Sequence, residues 1–259
     1  MTNRAINTDS PDDPPRPNIS IAIETSGRTG SVAIAREDAI LDHTTLSGFQ
    51  KHSSELLPAI QSLLSRHELS TKDIQHIYLP KGPGSFTGIR IAVTFAKMAA
   101  FAMGAKIVAV NTLDALAHNA RYYMDTTDSA IQRIAPILDA KKGYFYIAIF
   151  NKTSNGIRRI TEDLMITPAA FLSDYCQNQS KTALLGEGLV YYLKYFEHPN
   201  TVILDKSCWP ANAVSVWHVA RPRAKQGQFD DPNTLVPLYI RRPEAEENWE
   251  KTRQIPQTR

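Results

Sequence analysis

The stretch Ile19-Ser20-Ile21-Ala22-Ile23-Glu24-Thr25-Ser26-Gly27-Arg28-Thr29-Gly30-Ser31-Val32-Ala33-Ile34-Ala35 carries the first decision about the fold. Large apolar and small residues alternate through Ile19–Ile23, the period of a strand with two unlike faces. Gly27 and Gly30 bracket a turn, and Ser31–Ala35 returns as a second strand. Ala39–Thr45 reads as a third and completes a meander. Upstream, residues 1–18 hold four prolines among Asp, Asn and Ser. Such a segment buries too little to offset its ordering entropy, so a disordered extension is expected there.

Downstream, a helix is expected from about His52, with Glu55 at its positive end and a broad apolar face of Leu56, Leu57, Ile60, Leu63 and Leu64. Pro58 fits only if it lies within the first turn. Ser70–Asp73 reads as a capped turn and Ile77–Leu79 as a short buried strand. The Gly-rich loop Lys81–Gly88 follows, then a helix over 89–103 ended by Gly104, a strand over 106–110 and a helix over 112–124. After a polar linker at 125–132 the order repeats. Strands are expected at 133–139, 144–150 and 157–166, then a helix from Pro168, a strand at 182–185, a helix near 188–196, a strand at 201–205 and a helix at 211–226. The chain therefore reads as α/β, with two βββαβαβα lobes around a cleft. That is the duplicated actin/hexokinase-like (ribonuclease H-like) architecture. The lobes are expected at 19–124 and 125–236, with a tail at 237–259.

Composition narrows the class. The chain has 259 residues, 42% hydrophobic and 21% charged, which excludes wholesale disorder. No run approaches the ~18 uninterrupted apolar residues of a membrane span, and the N-terminus has no apolar signal core. Cys176 and Cys208 lie far apart with no CxxC, so neither a disulfide scaffold nor a zinc ribbon is expected. A soluble cytoplasmic protein without membrane contact is the expectation. A net charge of +3 is too small to mark a dedicated nucleic-acid binder. The short clusters Arg221–Lys225 and Arg241–Arg242 read as solvated surface, with RNA contact as the alternative.

Chemistry has few places to reside. Gly82 and Gly84 flank Pro83, and Ser85, Thr87 and Gly88 stand at a helix start, where unpaired N–H groups favour an anion. A phosphate or carboxylate cradle and a plain strand-to-helix turn both fit. The loop is not a Walker sequence, since no GK[ST] follows. Glu24, Thr25 and Ser26 end a buried strand. In an actin-like cleft they would face a nucleotide's phosphates or its metal, although an acid before a turn is also ordinary. His43, His52, His67, His76, His118, His198 and His218 form no HxxxH or HExxH pair, and no GxSxG elbow is present, so no catalytic residue and no metal site are expected. His52 reads as a surface or capping residue.

The 89–103 helix stands out. Ile89, Val93, Ala96, Ala100 and Met103 make one stripe, and Ala92, Phe95, Ala99 and Ala102 a second. Two apolar faces mean either burial between layers or a subunit interface, and the wide face of the 53–67 helix favours the interface.

The strings Ile21–Ser26, His52-Ser53 with Leu56-Leu57-Pro58, and above all Gly82-Pro83-Gly84-Ser85-Phe86-Thr87-Gly88-Ile89-Arg90 closely resemble the TsaB (YeaZ) family of bacterial tRNA threonylcarbamoyladenosine biosynthesis proteins. Pro237–Glu246 is also similar. The resemblance is strong over 19–120, weak over 125–236, and does not include 1–18. It implies a two-lobed actin-like fold and a role in modifying the adenosine beside the anticodon of ANN-decoding tRNAs. In that pathway TsaC makes threonylcarbamoyl-adenylate, the paralogue TsaD transfers the group to adenosine N6, and TsaE is a cycling ATPase. The resemblance further implies a TsaD heterodimer through the two flagged helices, with ATP and a metal ion on partner subunits and no cofactor on this chain. TsaD carries an HxxxH metal pair where this chain has Thr112 and Leu116, neither suited to that metal. A homodimer through the same faces, direct tRNA contact, and a small-metabolite kinase or ATPase of the same fold are the alternatives.

Overall fold

The computed structural model describes residues 18–48, 52–121, 131–154, 156–177 and 180–241. The expected extension at 1–18 and the linker at 125–132 fall largely outside these residues, as does the tail beyond Arg241. The first three strands, β1 (Ile19–Glu24), β2 (Ser31–Arg36) and β3 (Ala39–Thr45), form the expected meander. Helix α1 (His52–Arg66), β4 (Ile74–Pro80), α2 (Phe86–Met103), β5 (Lys106–Val110) and α3 (Thr112–His118) follow. The sheet order is β3-β2-β1-β4-β5, with β4 and β5 parallel to β1.

The second half holds β6 (Ile131–Asp139), β7 (Phe145–Ile147), β8 (Phe150–Thr153), β9 (Gly156–Arg159) and β10 (Leu164–Ile166). It continues with α4 (Pro168–Tyr175), β11 (Lys181–Leu185), β12 (Thr201–Ile203) and α5 (Ala213–Lys225). Central β6 pairs antiparallel with β7 and β8 on one side and parallel with β11 on the other, and β12 extends the parallel edge. Both sheets thus share one plan, a central strand flanked by a meander and a parallel edge. This is the duplicated α/β architecture.

Local expectations failed where a run was broken. The runs 144–150 and 157–166 each split into two short strands: β6 pairs with β7 through residues 137–139 and with β8 through 133–134, and β9 then pairs with β8 and β10 with β7. The 188–196 segment forms two 3-10 turns, Glu187–Leu189 and Leu193–Phe196, in place of one α-helix. Helix α2 begins three residues before the expected 89, at Phe86. The third helix closes at His118, and 122–124 lie outside the described residues. Pro58 sits well inside α1, past the first turn, on an exposed face, contrary to the first-turn expectation.

Packing explains the alternation in β1. Ile19, Ile21 and Ile23 face α1 and α2 in one core, while Ala22 faces α5 in another. The small side of the sheet admits Trp217 of α5, whose indole N–H donates to Ser20 Oγ at 3.0 Å. Helix α5, from the second half of the chain, therefore covers the first sheet. Helix α3, from the first half, packs Leu113, Leu116 and Ala117 into the second core.

Candidate functional site: the interlobe cleft and the outer helix face

Backbone contacts fix the Gly-rich loop before any side chain acts. Ser85 N–H donates to Ser26 O at 2.8 Å, and Thr112 N–H donates to Gly82 O at 2.9 Å. Ser85 caps α2, its Oγ accepting from Gly88 N–H at 3.3 Å. Thr25 Oγ1 donates to Gly88 O at 2.7 Å, and a Cβ at Gly88 would stand 1.7 Å from Thr25 O. Only glycine lets the first turn of α2 lie this close to the end of β1.

The loop opens on a cleft of about 870 Å³ between the lobes. Ser26, Arg28, Gly84, Ser85, Phe86 and Thr87 line it from the first lobe, and Asp139, Lys141, Lys142, Tyr146, Glu187 and Tyr191 from the second. Of the expected anion-site residues, Ser26, Gly84, Ser85 and Thr87 reach the cleft, whereas Glu24, Thr25, Gly82 and Gly88 lie behind it. Glu24 is fully buried. Its Oε1 accepts from Ser26 N–H at 2.5 Å and from Ser26 Oγ–H at 2.6 Å, while Oε2 has no partner. Burial pushes its pKa up to about 7 against the pull of the Ser26 bonds, with Glu187 adding to the rise. An acid folded onto its own turn and sealed from the cleft is poorly placed to meet phosphate or metal, so the expected facing role of Glu24 and Thr25 is corrected. Among the described residues, no group of three His, Cys, Asp or Glu side chains converges for a metal.

A lobe-to-lobe clasp with no local signature in the chain closes one side. Glu187 accepts from Arg28 N–H at 2.7 Å, Arg28 Nη2 donates to Tyr191 Oη at 2.9 Å, and the guanidinium stands 4.8 Å over the Tyr191 ring. Burial also raises the Glu187 pKa, with the Arg28 and Thr29 amides opposing. His52, expected as a surface or capping residue, is 4% exposed and fills the space beside Gly30.

The outer helices require the largest correction. Leu56, Ile60, Leu63 and Leu64 of α1, and Ile89, Ala92, Val93, Ala96 and Ala99 of α2, are sealed in this chain's own first core. Phe95, Ala100 and Met103 are partly buried against it. The amphipathic repeat thus marks a core face, while Leu57, also among the expected interface residues, stays exposed. Yet only 33% of the apolar α2 segment is buried. The side it leaves outside carries Phe86, Met98 and Phe101, the last two 62% and 67% exposed, with Leu57 of α1 at 54%. By length and composition alone α2 could cross a membrane; its buried face is the core stripe just described.

Residues 39–249 match the family described as TsaD, tRNA N6-adenosine threonylcarbamoyltransferase. The tRNA threonylcarbamoyladenosine biosynthesis protein TsaB of Bacillus subtilis is 30% identical over 234 residues, covering 88% of this chain and 96% of that protein. The chain belongs to the TsaB (YeaZ) family. TsaB of Escherichia coli is 31% identical over 222 residues, covering 85% of this chain and 94% of the relative. The YeaZ structure from Pseudomonas aeruginosa, 23% identical, superposes with a TM-score of 0.73, covering 86% of this chain and all of that one, and shares the fold.

Within this TsaB-family chain, Thr112 and Leu116 are fully buried in α3 and do not line the cleft. The basic cluster of α5 is occupied internally. Arg221 Nε and Lys225 Nζ donate to Asp38 at 2.8 and 2.6 Å, and Arg223 Nη1 donates to Ala109 O at 2.7 Å. Arg241 Nη1 donates to Ala140 O at 3.0 Å, and Arg242 lies outside the described residues.

Proposed function

We propose that this TsaB-family chain, whose membership places it in tRNA threonylcarbamoyladenosine biosynthesis, acts as a non-catalytic subunit that binds and activates the TsaD transferase. The observation that carries the reading is the uncovered apolar side of α2, where Met98 and Phe101 are exposed, together with exposed Leu57 on α1. Burying one such side chain gives about 1.5–3 kcal/mol, so three together supply a docking core of useful size. Partner subunits would hold the ATP and the metal ion, and TsaE would join through the complex in the cytoplasm. A homodimer would occupy the same face when TsaD is absent. Direct tRNA contact is not favoured by the α5 cluster, whose cations already have acceptors.

Reconstitution tests the proposal. Threonylcarbamoyl transfer to tRNA by TsaC, TsaD and TsaE should depend on this chain, and transfer at full rate without it would defeat the proposal. Calorimetry of ATP with Mg²⁺ into the isolated chain addresses the kinase or ATPase alternative. Saturable binding there would favour that alternative.

A further inference from the structure

The chain that leaves α5 does not trail off the second lobe. Asp230 returns to the first sheet, its N–H donating to Ile107 O at 2.8 Å and its carboxylate accepting from Ala109 N–H at 2.8 Å. Leu235 is 7% exposed within the first core. Leu238 N–H then donates to Lys81 O at 2.6 Å, directly on the Gly-rich loop. Gly82 has φ 123°, and a Cβ there would stand 2.5 Å from Leu238 O, so the loop and this segment are fitted to each other. Tyr239 stacks on Phe86, the first residue of α2, at 5.0 Å. Two residues on, the contacts change lobe. Ile240 packs on the second core, and Arg241 donates to Ala140 O.

We infer that residues 235–241 form a latch, seated on the Gly-rich loop and fastened to both lobes, that sets the width of the interlobe cleft. The lobes are joined firmly behind the cleft by α3 and α5. In front, this segment and the Arg28–Glu187–Tyr191 clasp link the lobes. Motion about the rear seam therefore opens the front, and each front link opposes it. The latch also lines the cleft through Leu238–Arg241, so whatever approaches Ser85 and Thr87 passes it. The inference concerns the isolated chain and stands whether or not the outer face of α2 docks a transferase.

Spin labels at Thr87→Cys and Lys142→Cys, on opposite lips of the cleft, read the width directly. The native Cys176 and Cys208 are buried and should label slowly. In the full chain, Tyr239→Ala with Arg241→Ala should shift the label distance outward and broaden its distribution, and should speed amide exchange at residues 84–87. Tyr239→Phe, which keeps the ring stack, should leave both unchanged. Should the double variant fold poorly, Arg241→Ala alone frees the far end while the first-lobe anchors at Asp230 and Leu235 persist, and it should still broaden the distribution. An unaltered distance and unaltered exchange in folded variants would overturn the latch.

Discussion

At the scale of single residues, Gly88 and Glu24 bear the heaviest constraints. Gly88→Ala places a methyl group 1.7 Å from Thr25 O, and backbone cannot yield as a flexible side chain does. A loss of about 3 kcal/mol or more is expected, read by urea denaturation or as failure to accumulate folded protein. A variant of wild-type stability would show that the loop and β1 are not in contact. Glu24 makes stability fall with rising pH. Its folded pKa of about 7 exceeds the ordinary 4.5, so the folded state holds an extra proton across that window and loses the advantage as pH climbs through it. His118 acts oppositely, since burial lowers its pKa to about 4 from 6.5, and stability rises as pH climbs between those values. His76 and His218, whose pKa values burial also lowers, act in the same direction as His118. The Glu24 contribution of about 1 kcal/mol between pH 6 and 8 is therefore partly offset, and is read from the difference between the wild type and a Glu24 variant. Glu24→Gln keeps an acceptor for Ser26 and should remove that contribution. Equal changes in both proteins, measured by denaturation at the two pH values, would assign it elsewhere.

At the scale of the element, the two sides of α2 separate folding from the proposed docking. Val93 is 5% exposed, so Val93→Arg buries an unpaired cation and should unfold the first lobe. The opposite side tolerates charge. Met98→Asp and Phe101→Asp should leave the unfolding free energy nearly unchanged, within about 0.5 kcal/mol each, and abolish co-purification with TsaD. Wild-type recovery of TsaD by those folded variants would defeat the docking assignment. About 80–140° of rotation around one helix thus divides residues of similar hydropathy into core and uncovered surface.

At the scale of the whole molecule, the two halves of the chain exchange helices. Helix α5 covers the small side of the first sheet with Val216, Trp217 and Ala220, while α3 fills the second core. A fragment ending at 124 would expose Ala22, Ala33, Tyr78 and Val108 to water, so it should not fold cooperatively alone, by circular dichroism and proteolysis. Trp217→Ala in the full chain should cost about 3–5 kcal/mol through the cavity it leaves. A stably folded fragment would mean that α5 contributes little to the first lobe. The charge cluster behind the cleft joins the same seam. Arg159 bonds Asp114 of α3 at 2.9 Å and also Asp163, which accepts from Asn111 at 2.7 Å.

Sequence by itself determined the strand meander, the Gly-rich turn and the element order of the first half, and the second half only in outline, because alternation, glycine and capping residues act over a few neighbouring positions. It also carried the family, through the string Gly82–Arg90. Tertiary structure alone decided that Glu24 turns inward, that Leu56 and Val93 face this chain's own core, and that Arg28 meets Glu187. It decided as well that 235–241 crosses from one lobe to the other. Those outcomes join residues from distant parts of the chain, and which apolar or charged group finds which partner is set by how the sheets and helices pack, a relation that no local pattern encodes.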